Sequence, residues 1–480
     1  MSKLYLGFDA GTQSVKVSVY DENLKSITSQ SLPTILRYPH AGWVEMDLDE
    51  FLDITVRCIK RCVDDIKALG YDPKDVRAVM GDGIICGIAG VNEEGDAITP
   101  YINYLDTRTD DDVRFINDLN LDIWVKETGN PEACTMFPAM FARWFLKNNT
   151  KFQQQGVKFM HNAPYILSHL AGLKGKDAFI DWGAMSGWGL GYNVMKKEWS
   201  KEQLDILGIS EKYMPRILKP WDIIGGLTQA MSEKTGLPEG TPICAGAGDT
   251  MQSMIGCGNY EAGKGVDVAG TCAMFCVSTK GNVCHKANDA VYYNDLNDRA
   301  AQVPVGSNGV LFLPYLTGGQ DINNKKCGCF LGLTLDDDQS VMWRSVLESI
   351  GFDYMEICGL YRSAGVDLQR LTVAEGGSRS SLWNQIKSDM LDAEVVRYKN
   401  AGGAVVTNCI FAAYAVKDVP EIIPELSKIL QIDQSYQPRA ENTKLYRDLL
   451  NLQRKLIDVD MAPAFATLWN MKKILPQKQN

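Results

Sequence analysis

A short turn, Ala-Gly-Thr, occurs in both halves of this chain, and each time an alternating strand pattern follows it. "FDAGTQSVKVSVY" begins at Phe8 and "DVAGTCAMFCVST" begins at Asp267. Val15, Val17 and Val19 alternate in the first copy, and Ala273, Phe275 and Val277 in the second. Period two marks a strand with one buried face. Leu4–Asp9 is a further apolar run, so Leu4–Asp9 and Val15–Tyr20 predict a hairpin. Matched turns near the starts of both halves predict a duplicated architecture, with two hairpins facing each other across a cleft.

The 480 residues suffice for two domains, each with its own core. Strand-like and helix-like segments alternate, which predicts an α/β class. Leu48 to Leu69 reads as a helix because Phe51, Ile54, Cys58, Cys62 and Ile66 recur at helical spacing. "VRAVMGDG" (76–83) reads as a strand ending in a glycine turn, and "PICAGAGDTMQSMIGCG" (242–258) as strand, turn and helix. Residues 341–365 form a long amphipathic helix pattern, and 371–391 a strand, a glycine turn and a second helix. The expected boundary is near residue 245, giving domains 1–244 and 245–480.

A net charge of −10 argues against a nucleic-acid surface, which needs clustered Lys and Arg. No run of 18 apolar residues predicts a membrane span, and Asp9 interrupts the short apolar start, so no secretory signal is expected. Thirteen scattered cysteines read as reduced thiols of a cytoplasmic protein. Cys272, Cys276, Cys284 and His285 are the closest approach to a metal cluster, without the spacing of a zinc ribbon.

The glycine turns carry the chemistry. Gly11 lets backbone approach a ligand, and consecutive N–H groups in such a turn make an anion-binding concavity. Thr12, Gln13 and Ser14 add donors, and Lys16 adds positive charge. Asp9 repels a phosphate unless Mg²⁺ lies between them. The alternative is a surface hairpin whose Asp and Thr satisfy the turn backbone. Neither a dinucleotide fingerprint nor a P-loop is present here. Asp249 in "AGAGDTMQS" suits either a helix N-cap or a general base. "EGGSRSSLW" (375–383) places two glycines at a strand–helix junction, which suits a nucleotide edge.

Over essentially its whole length the sequence resembles the FGGY carbohydrate kinases of the actin-like ATPase superfold. "LGFDAGTQSVKVSVYD" is similar to the family's first phosphate hairpin and "DVAGTCAMF" to its second. "GWVEMD" resembles the segment before the first long helix, and "YLDTRT" the sugar-site segment. "AGAGDTMQSMIGCG" resembles the stretch carrying the family's catalytic aspartate. "FLPYLTGG" and "GCFLGLT" resemble the second family signature. "EGGSRSSLWNQIKSDML" resembles the adenosine motif, with Trp383, Gln385 and Asp389. Within the family the chain looks most like xylulokinase-type pentulose kinases.

The resemblance implies two ribonuclease H-like domains and ATP with Mg²⁺ as cofactors. It implies ATP contacts at Gly11, Thr12, Gln13, Ser14, Lys16, Gly270, Thr271, Gly318, Gly376, Gly377 and Ser380. Asp249 would be the catalytic base, and Asp9 and Asp249 the metal ligands. Asp82, Gly83, Ile84, Tyr104, Asp106, Arg108, Asp249 and Thr250 would meet a small sugar or polyol. Dimers are common in the family, and neither nucleic acid nor membrane is an expected partner.

Three departures bear on the sites: the first two on the substrate, and the third on adenine-side packing and nucleotide preference. The family's Met-His pair is replaced within "GDGIICG", by Ile84 and Ile85 or their neighbours. The W-N-D-x-R segment begins Tyr104-Leu105, while Asp106 and Arg108 remain and are able to pair with each other. The family's A-x-G-A-A helix start reads "GGAVVTNCIFAA" (402–413). The first two changes fit a substrate other than D-xylulose: a pentulose of other stereochemistry, a tetritol such as erythritol, or a deoxy sugar. A sugar-binding regulator without kinase activity is the alternative of another class.

Overall fold

The structure is a computed structural model and describes residues 2–269, 273–279, 297–315, 326–374, 376–399 and 403–474. It divides into two compact units: Met1–Gly258 with Gly402–Leu430, and Asn259–Ala401 with Gln431–Asn480. The sequence pattern placed the division near 245. Two things move it. The helix Asp249–Gly256 packs with the first unit, and the chain returns to that unit after residue 401.

The first unit is built on a seven-stranded sheet. Leu4–Ala10 turns back as Ser14–Asp21, and Ser26–Pro33 continues the meander. On its other side Leu4–Ala10 pairs in parallel with Val76–Gly83, which pairs in parallel with Pro242–Cys244 and Ala247–Gly248. Ile223–Gly226 closes the far edge antiparallel. The alternating valines do what their period requires: Val15, Val17 and Val19 are all buried. The helix Leu48–Ala68 covers one face, started by Asp47, whose carboxylate accepts from the N–H groups of Asp49 and Glu50. Its apolar stripe, including Phe51, Ile54, Cys58, Cys62 and Ile66, is buried against that sheet.

The helix Ala404–Ala415 covers the opposite face. Every residue from Ala404 to Ala413 is buried, as expected for a helix apolar all round. It lies so close to the sheet that a Cβ on Gly7 would come within 2.6 Å of the Val405 carbonyl oxygen.

The second unit repeats the plan with a five-stranded sheet. Lys264–Ala269 pairs antiparallel with Ala273–Val277 and parallel with Arg370–Ala374, which pairs parallel with Glu394–Tyr398. Ile432–Tyr436 is the antiparallel edge. Helices Gln339–Ser363 and Ser381–Leu391 supply the core, capped by Asp338 and Ser380. Among the described residues no helix is long and apolar enough to cross a membrane.

Candidate active site

Three neighbouring strand ends converge in the first unit, and each delivers a carboxylate. The parallel register sets Asp9 beside Asp82. Ala247 pairs with Asp82 and Gly248 with Gly83, so the next residue, Asp249, follows at once as the first residue of its helix. Its carboxylate accepts from the Thr250 N–H and, at 3.1 Å, from the Thr250 hydroxyl.

Burial and crowding both act on these carboxyls. Burial lifts the Asp249 carboxyl to about 7, with the charge of Asp9 second, against hydrogen bonds from Thr250 and the Ile85 N–H. Burial also holds Asp82 well above the usual carboxylate range, and the charges of Asp9 and Asp249 push the same way. Asp82 is fully buried; its Oδ2 accepts from Asn408 Nδ2 at 2.6 Å, while its Oδ1 meets no donor among the described residues. A carboxyl of pKa near 7 is suited to taking a proton at neutral pH.

The first hairpin turn is tight. The Gly11 N–H donates to the Ser14 carbonyl at 3.0 Å. Thr34 fixes the turn from outside, its N–H on the Gln13 carbonyl at 3.1 Å and its hydroxyl on the Thr12 carbonyl at 2.6 Å. The bare Cα of Gly11 keeps open the space where a Cβ would sit 3.6 Å from Asp9 Oδ1. Lys16 stands directly across the ladder from Asp9 with its side chain exposed.

In the "GDGIICG" stretch Ile84 packs into the core and is 3 % exposed. The residue beside the acids is Ile85. Its N–H donates to Asp249, and its carbonyl accepts at 3.2 Å from His161 Nε2. His161 is buried, which lowers its pKa to about 4 and keeps it neutral, and a carbonyl partner requires the proton on Nε2. The Ile85 side chain fills the space against Gly248, where a Cβ would lie 2.2 Å from its Cγ2. Cys86 is half-buried, its thiol 3.5 Å from the Gly187 carbonyl. Burial and the charge of Asp249 push that thiol up to about 12. Gly83 is likewise sealed off: a Cβ there would meet Asn162 Oδ1 at 2.6 Å.

The expected sugar contacts Asp106 and Arg108 take up each other. Asp106 is fully buried and accepts from Arg108 N–H, Nε and Nη2 and from the Val44 N–H at 2.6–2.9 Å. The guanidinium also bonds Glu45 at 2.8 Å and lies over Trp43 at 3.7 Å and Trp144 at 4.9 Å. This cluster pins a loop. Tyr104 is half-buried against the main core of the unit.

In the second unit Gly376–Arg379 forms a 3-10 turn after the strand Arg370–Ala374, which brings Gly376 and Gly377 to the strand end. Ser380 is the N-cap of the next helix, its hydroxyl accepting from the Trp383 N–H at 3.1 Å. Asp389 of the same motif is structural, holding Arg439 Nε at 3.0 Å and Asn442 Nδ2 at 2.8 Å. Gly270, Thr271, Gly318 and the cysteine cluster's Cys272, Cys284 and His285 lie outside the described residues.

Sequence reasoning missed His161, Asn408 and Gln252. No local pattern singles them out: His161 adjoins Asn162, Asn408 adjoins Thr407, and Gln252 lies between Thr250 and Ser253.

Two ribonuclease H-like sheets, one carrying a cluster of carboxylates at its strand ends, define an actin-like phosphotransferase architecture. The chain matches the N-terminal domain of the FGGY family of carbohydrate kinases over residues 4–256 and the C-terminal domain over 244–416, and it belongs to that family. It is 24% identical to a xylulose kinase of Staphylococcus epidermidis, covering 93% of this chain and 95% of that one. It is 23% identical to a gluconokinase of Bacillus subtilis, covering 95% and 96%. The crystal structure of xylulose kinase from Rhodospirillum rubrum superposes with a TM-score of 0.85 at 20% identity, covering 97% of this chain and all of that one. The protein is thus an ATP-dependent carbohydrate kinase, a phosphotransferase with an alcohol group as acceptor. The regulator alternative is not favoured.

Proposed function

We propose that this kinase phosphorylates a hydroxyl of a pentulose or a closely related polyol, with Asp249 as the base. The observation that carries the reading is the meeting of Asp9, Asp82 and Asp249 at adjacent strand ends, with Asp249 lifted to about 7. Asp249 takes the proton of the acceptor hydroxyl as that oxygen attacks the terminal phosphate of ATP. The hydrogen bonds from Thr250 and Ile85 fix which way its carboxylate points. The Gly11–Ser14 turn receives phosphate oxygens on its backbone, and Lys16 adds charge from the neighbouring strand. Gly376 and Gly377 line the adenosine side, with Gly270, Thr271 and Gly318 as further nucleotide contacts.

The donor set fits Mg²⁺: Asp9 and Asp249 offer hard carboxylate oxygens at adjacent strand ends. No group of three or more His, Cys, Asp or Glu forms a ready-made metal cage among the described residues. Mg²⁺ takes one or two carboxylates plus phosphate and keeps several waters. Asp9 and Asp249 would hold it, and when bound it supplies neutralising charge between carboxylate and phosphate.

Ile85 and Cys86 give the acceptor an apolar edge beside the base. A substrate hydroxyl placed there would lose its hydrogen bonds to water without replacement. This favours an acceptor with fewer hydroxyls, such as a deoxy sugar or a short polyol, as the second reading. Free thiols throughout the described residues support a reducing, cytoplasmic setting.

The test is ADP release by the pure protein with Mg-ATP against ketoses, aldoses and polyols of three to seven carbons. A sharp rise with one ketose or polyol is the expected result. A rise with an aldonic acid alone would overturn the pentulose reading.

A further inference from the structure

Two of the stretches that depart from the family pattern, "GDGIICG" and "GGAVVTNCIFAA", lie more than 300 residues apart, and the fold brings them into contact. Asn408 Nδ2 donates to Asp82 Oδ2 at 2.6 Å across 326 residues of sequence. The same nitrogen donates to the Phe8 carbonyl at 2.9 Å, and Asn408 Oδ1 accepts from Gln252 Nε2 at 2.8 Å. We infer that Asn408 is a positioning residue for phosphoryl transfer, tying the strand ends that carry Asp9 and Asp82 to the helix that carries Asp249. The inference rests on the assignment of Asp249 as base.

Each bond reaches one of the three acids or its near neighbour. Phe8 precedes Asp9 in the strand Leu4–Ala10. Gln252 lies one helical turn beyond Asp249 in Asp249–Gly256. Asp82 is bonded directly. The amide has one workable orientation, because the Phe8 carbonyl only accepts and so requires Nδ2, which leaves Oδ1 for Gln252. Asn408 is fully buried and Gln252 is 1 % exposed, so water does not compete.

The helix that carries Asn408 cannot slide along the sheet. Val405 presses on Gly7, and the Cys409 thiol reaches the Tyr5 carbonyl at 3.4 Å. A buried carboxylate needs a donor, and a buried amide on an apolar helix needs partners. Asp82 and Asn408 therefore satisfy each other. Removing both partners of such a bond disturbs far less than removing one.

Asn408 is fully buried beneath the strand ends, so its loss is expected to act on the turnover step and not on binding. The experiment uses Mg-ATP and the acceptor that gives the highest rate in the ketose and polyol panel. Asn408→Ala is expected to lower kcat at least tenfold, with KM for ATP and acceptor within threefold of the parent. The double variant Asp82→Ser/Asn408→Ala is expected to turn over faster than Asn408→Ala alone, within about threefold of Asp82→Ser. Parent-like kcat in Asn408→Ala, a rise in KM alone, or a double variant slower than both singles would each overturn the inference. Should Asn408→Ala fail to fold, Gln252→Leu removes the other end of the network and is held to the same kcat and KM criteria. Asp249→Asn is assayed in parallel. Near-normal turnover there would sink the base assignment, and the Asp82–Asn408 coupling would still be read from the other variants.

Discussion

Setting the two units side by side on their Ala-Gly-Thr turns puts Ala10 opposite Ala269, Asp9 opposite Val268 and Phe8 opposite Asp267. Their sheets have the same order of hairpin, two parallel strands and an antiparallel edge. The acids differ by one position, and in a strand one position is the other face. Asp9 sits across from Asp82, whereas Val268 sits across from Ala374. Asp267 lies fully buried instead, in an ion pair with the equally buried Lys387, and it accepts from the Tyr354 hydroxyl at 3.1 Å. Lys387 also lies over the Trp383 ring at 4.5 Å. Duplication has thus copied the backbone and not the charge. The first unit gathers carboxylates that press on one another, and the second neutralises its carboxylate internally.

The largest expected effect breaks the first half of that contrast. Asp249→Asn abolishes turnover, by at least about a thousandfold on the scale of losing a general base and a charge at the reacting centre. Mg-ATP still binds, as read by calorimetry, and loss of binding in place of turnover would move the role of Asp249 from chemistry to the nucleotide.

The next prediction breaks the second half. Lys387→Met leaves Asp267 buried without its counter-charge and is expected to cost about 3–5 kcal/mol in denaturant unfolding of the second unit. Asp267→Leu/Lys387→Met is expected to regain most of that, since both ions leave together. Equal losses in the single and the double variant would show that the pair shapes the core in some other way.

A smaller effect follows from pH. A carboxyl lifted from 3.8 to about 7 binds its proton more tightly folded than unfolded. Its contribution to stability is complete below the unfolded value and is lost as pH rises through about 7. In metal-free buffer the melting temperature should therefore fall between pH 5 and pH 8, and the fall should be shallower in Asp249→Asn. The rate should drop on the acid side of about pH 7, because the protonated base cannot accept. An unchanged melting slope in Asp249→Asn would place the titration elsewhere.

The smallest effect separates two adjacent isoleucines. Ile84→Val should cost about 0.5–1.5 kcal/mol and leave the acceptor profile unchanged, as for a core position. Ile85→Val should barely move stability and should shift the ranking of acceptors. The reverse outcome would return the substrate edge to Ile84.

Much of this was legible beforehand, for local reasons. The helix over residues 48–68 was readable because a helical stripe is written in consecutive turns. The hairpins, the strand–turn–helix at Asp249 and the glycine turn at Gly376–Gly377 were readable from turn chemistry. The choice between Ile84 and Ile85 was not, since it turns on the phase of a strand at the point where it ends. The pairing of Asp106 with Arg108 was open in the sequence, because a two-residue spacing suits either a mutual bond or two ligand contacts. The Asp82–Asn408–Gln252 network was hidden by distance along the chain. No local pattern reports a bond across 326 residues. The same cause displaced the domain division, which depends on a segment that leaves the first unit and comes back.

That returning segment also has a consequence for how the protein is made. Tyr5 accepts a hydrogen bond from Cys409, 404 residues later. A ribosome adding about 5–20 residues per second takes roughly 20–80 s to cover that separation. Throughout that interval the face of the N-terminal sheet that ends up beneath the helix Ala404–Ala415 is without its cover. The first unit, begun first, is accordingly completed only once residues 404–415 have been made, and until then the strand that will carry Asp9 keeps one apolar face bare.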